Sequence, residues 1–168
     1  MNVIDTDISG VKILEPRILG DSRGYFFESF RASDVDSLLG CHVEFVQENQ
    51  SRSCRGVVRG LHFQLPPHAQ AKLVRVVEGT VLDVAVELSA ANCRQLFIPR
   101  GFAHGFAVLS EFATFIYKCD NYYAPQAEGG ILWNDPAIAI DWRLRPDEII
   151  LSEKDLRHPQ LHQFTSPF

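Results

Sequence analysis

The chain has no long apolar run. No stretch of its 168 residues approaches the roughly 18 apolar residues of a membrane-spanning helix, which excludes a helical membrane protein. It also lacks an excess of basic charge: 16 Lys and Arg stand against 21 Asp and Glu, a net charge of −5. That disfavours a general nucleic-acid binder, which carries a basic face. Paired cysteines are missing too. Cys41, Cys54, Cys93 and Cys119 form no C-x-x-C motif, and a chain of this length needs no disulfide staples, so they read as reduced thiols of a cytoplasmic protein. The segment Met1–Asp7 has early acids and no apolar h-region, so it reads as no secretory signal. Repeats, low-complexity tracts and linkers are absent, and helix signals are few.

What the chain does have is a 46% hydrophobic and 11% aromatic composition, enough for the core of one domain spanning 1–168 and too much for intrinsic disorder. Short β-rich runs dominate: Val43–Val46, Ala71–Val77, Thr80–Val86 and Phe112–Lys118. Each alternates or is rich in β-branched and aromatic residues, with Gly, Pro or Asn nearby. Glu78-Gly79 between two of them reads as a hairpin turn. Ser33 can cap a helix over Asp34–Leu39 with Gly40 as its stop, and Ser152-Glu153-Lys154-Asp155 resembles a second helix start. The fold class is therefore all-β, a sandwich or barrel with a few short peripheral helices.

Strand alternation sorts the polar residues by face. Lys72 lies with Val74 and Val76, Asp83 with Val81 and Ala85, and Tyr117 with Phe115 and Ala113. A polar group aimed into such a core is costly unless paired, so each marks a candidate site. His62, between Leu61 and Phe63, is either a core histidine or a general base suited to neutral pH. Arg59 and His62 fall on opposite faces under strict alternation, so service in one site requires a bend or bulge between them. His104 sits between glycines in an aromatic setting. No H-x-H motif occurs, and Lys72 and Tyr117 are poor neighbours for a divalent cation, so no metal is expected. Lys72 and Asp83 form either a cross-strand ion pair or, with Lys72 inside a barrel, a cation that steadies a developing oxyanion. The segments around Arg23–Glu28 and Val46–Asn49 are edge structure or a surface for a planar, hydrogen-bonding ring.

The segments Gly24–Phe30, Val57–Gln64, Lys72–Val76, Ile98–Phe106, Tyr117-Lys118, Asn121–Pro125, Trp133–Pro136 and Ser152–Asp155 together resemble the dTDP-4-dehydrorhamnose 3,5-epimerase family, in the family's order. The resemblance implies a cupin-like jelly roll, a homodimer, no cofactor, and a dTDP-keto-deoxysugar substrate. The implied reaction is epimerisation at C3 and C5 of dTDP-4-dehydro-6-deoxy-glucose, towards dTDP-L-rhamnose. By motif match it makes His62 the base, Asp155 its orienting carboxylate, Lys72 the stabiliser of the O4 enolate and Tyr117 the acid on the opposite face. Arg59, Asp83 and His104 would line the substrate site. Arg23, Glu28, Gln47 and Asn49 would contact the nucleotide, partly across the dimer, and Glu128 and Lys154 would complete it. The competing readings are a single-centre epimerase or ketoisomerase on another dTDP-keto-sugar, and a non-catalytic sugar-nucleotide-binding barrel. One departure stands out. After Val86 the chain lacks a hairpin's worth of residues, and no Gly or Pro between Val81 and Leu88 supplies a tight turn.

Overall fold

The computed structural model describes residues 1–84 and 86–168. In chain order the strands are β1 (Asn2–Asp5), β2 (Lys12–Glu15), β3 (Leu19–Asp21), β4 (Gly24–Phe26), β5 (Gln47–Cys54), β6 (Val58–Gln64), β7 (Lys72–Glu78), β8 (Thr80–Asp83), β9 (Glu87–Ser89), β10 (Gln95–Ile98), β11 (His104–Val108), β12 (Phe112–Cys119) and β13 (Glu128–Gly130), with one α-helix, α1 (Ala32–Leu39), between β4 and β5. A large sheet runs β1-β2-β10-β7-β12-β5, a smaller one β13-β6-β11-β8-β9, and β3-β4 stands apart as a hairpin. The strand pairs are antiparallel. The all-β, jelly-roll expectation holds in its sandwich form: two facing sheets, neither closed upon itself.

Side-chain alternation builds three apolar layers. Val74 and Val76 of β7 meet Val81, Phe106, Val108 and Phe115 between the sheets, while Leu73 points the other way and packs with Val35 of α1. Leu82 faces outward from the small sheet, where Val58, Phe63, Ile131 and Trp142 cover it. The face shared by Lys72, Val74 and Val76 therefore looks into the sandwich. Gly40 ends α1 in the left-handed conformation at φ 72°, as expected of a glycine stop. Arg31, not Ser33, holds the cap position, and Ser33 lies inside the helix.

Three local expectations need correction. Val43–Val46 is not a strand; its hydrophobic side chains Val43 and Phe45 instead pack with the cluster beneath α1. The strand starts at Gln47, in a polar sequence with no hydrophobic alternation to announce it. Glu78-Gly79 is not a hairpin turn, because β7 and β8 lie in different sheets. Gly79 carries the chain across at φ 77°, where a Cβ would sit 2.0 Å from the Phe112 carbonyl oxygen, so only glycine fits. The third concerns Thr80–Val86. β8 stops at Asp83, and Asp83 and Val86 exchange both backbone hydrogen bonds, at 2.9 and 3.1 Å. A tight hairpin thus joins β8 to β9 without Gly or Pro. The pair is shortened but stays antiparallel, so the next strand keeps its direction. Ala85, assigned to the face of Asp83 by alternation, lies outside the described residues.

The break between Arg59 and His62 is present. Between β6 and β11 the register shifts between His104 and Phe106. At this point Gly60 adopts φ 135°, and a Cβ there would come within 2.6 Å of the Gly105 Cα. Two glycines face each other because the strands approach too closely for side chains. Gly60→Ala is expected to destabilise the protein by about 2 kcal/mol or more, through left-handed strain and overpacking. Urea unfolding should show a lower midpoint at unchanged slope; an unchanged midpoint would contradict this account of the bulge.

Candidate active site

The inward face of β5 explains where the site forms. Gln47, Asn49, Ser51 and Ser53 alternate inward along an edge strand, leaving that part of the sandwich interior polar. Two adjoining cavities of about 250 and 220 Å³ open there and share His62, Lys72, Tyr117 and Glu128. Gln47 and Asn49 line the first; Arg59, His104 and Lys154 line the second. The bulge after Arg59 lets Arg59 and His62 face one site, as the sequence required if both serve it.

His62 Nε2 bonds the Asp155 Oδ1 atom. Asp155 stands on a single 3₁₀ turn, Asp155–Arg157, and its Oδ2 accepts from Ser152 Oγ at 2.8 Å. The Asp155 backbone N–H donates to the same Ser152 oxygen at 3.2 Å. The second helix start read from Ser152-Glu153-Lys154-Asp155 is this one turn. Burial works to raise the Asp155 carboxyl, but hydrogen bonds from His62 and Ser152, together with the charge of His62, overcome it and hold it below the usual aspartate range. Asp155 is therefore a carboxylate at neutral pH and can only accept, which puts the ring proton of neutral His62 on Nε2 and leaves Nδ1 with a free lone pair.

Lys72 lines both cavities. It makes no ion pair among the described residues, and Asp83 belongs to the facing sheet, so of the two readings of Lys72 and Asp83 the cross-strand ion pair is not the one found. Burial pushes the Lys72 ammonium below the usual lysine range, against the pull of Cys119, Asp83 and Glu128. Its cross-strand neighbour Cys119 is pushed up to about 11 by burial and stays a neutral thiol. Tyr117 is raised above the usual phenol range by burial and by Cys119, while the Arg59 charge and the Asn49 side chain pull the other way. The two shifts run in opposite directions: burial makes the ammonium easier to lose and the phenol harder to ionise. A reaction that needs the ammonium should lose rate on the alkaline side as Lys72 gives up its proton, and burial moves that loss to lower pH. A pH–rate profile of Tyr117→Phe is expected to keep that limb in place, and loss of the limb would contradict the assignment.

Glu128 is held below the usual glutamate range: burial opposes this, and bonds from Lys154 at 2.5 Å and Tyr123 at 2.9 Å outweigh it. Arg59 donates to Ser53 Oγ at 3.1 and 3.3 Å. Asp83 does not line either cavity. It is 1% exposed and accepts from His104 Nε2 at 2.7 Å, so its place is behind His104. Arg23 and Glu28 are also elsewhere within one chain. Arg23 pairs with Asp21 at 2.6 Å beside the β3-β4 hairpin, and Glu28 pairs with Arg31 at 2.7 Å. Sequence reading missed Ser51, Gln64, Gln70 and Tyr123 as lining residues. Tyr123 sat in a quoted motif; Ser51 had no signal beyond the polar alternation of β5.

The family model for dTDP-4-dehydrorhamnose 3,5-epimerase matches residues 5–163. The chain belongs to this family. It is 53% identical over 172 residues to the dTDP-4-dehydrorhamnose 3,5-epimerase of Escherichia coli strain K12, covering 94% of this chain and 92% of that one. The fold superposes on the crystal structure of the Elizabethkingia anophelis NUHP1 family member with a TM-score of 0.93, at 43% identity and 97% coverage of both chains. It also matches the Legionella pneumophila Philadelphia 1 dTDP-6-deoxy-D-glucose-3,5-epimerase, a structure in complex with dTDP-4-keto-L-rhamnose, with a TM-score of 0.92, 46% identity, and coverage of 98% of this chain and 94% of that one. Cupin-like jelly-roll architecture is thus common to the family and to this chain.

Proposed function

We propose that this protein epimerises dTDP-4-dehydro-6-deoxy-glucose at C3 and C5, giving dTDP-4-dehydro-L-rhamnose, and that residues 1–168 act as one catalytic domain. The observation that carries this reading is the His62–Asp155 pair opening onto a cavity shared with Lys72 and Tyr117. A proton beside a ketone is removable only when the enolate oxygen is stabilised. A partly desolvated ammonium supplies that stabilisation. Asp155 keeps the His62 ring proton on Nε2, so Nδ1 takes the substrate proton. Tyr117, kept protonated by burial, delivers a proton on the other face. The O4 oxygen belongs to both enolates, so one Lys72 serves both centres.

Arg59 and His104 line the sugar end, Gln47 and Asn49 the nucleotide side, and Glu128, paired with Lys154, stands between the two. Arg23 and Glu28 reach the site only from a second copy of the chain. The β3-β4 hairpin that carries Arg23 leaves Tyr25 67% and Phe26 68% exposed, an apolar tip suited to burial against another protomer, which supports a homodimer. No helix among the described residues is long and apolar enough to cross a membrane.

Solvent deuterium uptake followed by NMR tests the reaction: label is expected at both C3 and C5 of the keto-sugar. Uptake at one centre alone would make the protein a single-centre epimerase or isomerase, and no uptake would make it a binding protein. Tyr117→Phe is expected to slow the completion of inversion more than the first proton loss. Equal slowing of both would assign Tyr117 a structural role only.

A further inference from the structure

His158 follows the single turn that carries Asp155, and the reaction gives it no task. Its side chain is 12% exposed. The ring lies over Gly130, where a Cβ would come within 2.5 Å of its Cε1 and Nε2, so the ring is held in place and that glycine is needed. Nε2 is buried and has no hydrogen-bond partner among the described residues. It points its unused capacity towards Asp155 Oδ1 at 3.7 Å, beyond hydrogen-bond reach. The His62 and His158 rings lie 5.5 Å apart at 69°. One ligating atom from each of His62, Asp155 and His158 falls within 4.8 Å of the others.

We propose that His62, Asp155 and His158 form an inhibitory site for a borderline-soft divalent cation of the zinc type. Two imidazoles and a carboxylate are donors that zinc accepts in a four-coordinate shell with one position open. With bonds of about 2.0–2.2 Å, tetrahedral donors lie roughly 3.3–3.5 Å apart, close to the present Asp155–His158 separation. His62 and Asp155, now hydrogen-bonded, are closer than this and move apart as the cation replaces the proton between them. Ser152 already holds Oδ2, leaving Oδ1 for the cation, an outer-shell support of the kind metal sites use. Lys72 and Lys154 oppose a cation and Glu128 favours it, so micromolar affinity is expected rather than the tighter binding of a closed structural site.

The inhibitory effect rests on the reading of His62 as the base; the binding does not. Coordination takes the Nε2 lone pair, and the ring's one proton moves to Nδ1. The imidazole then has no lone pair left for the substrate. Occupancy therefore stops proton abstraction without blocking the nucleotide side of the cleft.

Cobalt and zinc titrations of the Cys41→Ser/Cys54→Ser chain test this, since those two thiols are exposed and would compete for metal. One cobalt per chain with visible ligand-field absorption is expected, and micromolar zinc should suppress deuterium uptake reversibly on chelation. Magnesium, which prefers oxygen ligands, should do neither. His158→Asn and His158→Gln, checked for folding by thermal unfolding, should keep the metal-free exchange rate within a few-fold and lose at least tenfold in zinc sensitivity and cobalt binding. No stoichiometric binding, or zinc inhibition equal in the His158 variants, would overturn the site. Cobalt binding that depends on His158 without loss of exchange would leave the site standing and overturn the role of His62 as base.

Discussion

His62→Ala should cut deuterium uptake into the keto-sugar by about 10²–10⁴-fold, the range typical of losing a positioned general base, while dTDP binding changes by no more than a few-fold. The separation of the two effects follows from the geometry. His62 stands on β6 and is held by Asp155 of the turn that follows Ser152, whereas Gln47 and Asn49 sit across the cleft on β5 and do not depend on the imidazole. Because the base acts only as the proton moves, its loss should fall on turnover and not on affinity. Exchange rates by NMR and binding of dTDP by calorimetry read the two quantities independently. Exchange near the wild-type rate in His62→Ala would remove His62 from the chemistry. Loss of dTDP affinity equal to the loss of rate would make it a binding residue.

Lys72→Met is expected to lower exchange at C3 and C5 together, by about 10²–10³-fold, as expected for removing one preorganised donor to a developing oxyanion. Methionine keeps the length and apolar stem of the side chain, so packing against Val74 and the inter-sheet core should persist. Both centres should suffer equally, because both enolates place charge on the same oxygen. The alkaline limb should disappear with the ammonium. A loss confined to one centre, or an unchanged limb, would place the enolate oxygen elsewhere.

Much of this was legible in the sequence. Alternation in β7 correctly put Lys72 with Val74 and Val76, and the spacing of Arg59 and His62 required the bulge found at Gly60. The catalytic pair was harder to read. His62 and Asp155 lie 93 positions apart, and no periodicity links a β-strand to a single 3₁₀ turn; only the family resemblance joined them. The errors have physical causes. β5 is an edge strand with a polar inward face, so hydrophobic alternation pointed to Val43–Val46 and missed the strand itself. The Glu78-Gly79 turn looks like a hairpin locally, yet close packing against Phe112 sends the chain to the other sheet. The shortened β8-β9 hairpin closes through a backbone hydrogen-bond pair that no turn residue advertises. The tail from Arg157 onward carried no readable signal, but Phe164 and Phe168 pack on Phe63 with ring centroids at 5.1 and 6.0 Å, next to His62.

The most direct measurement is a crystal structure of His62→Asn bound to dTDP-4-keto-L-rhamnose. The account predicts residue 62 and the Tyr117 hydroxyl on opposite faces of the sugar ring, with Lys72 Nζ within hydrogen-bond distance of O4. A sugar with both side chains on one face, or with O4 turned away from Lys72, would contradict it.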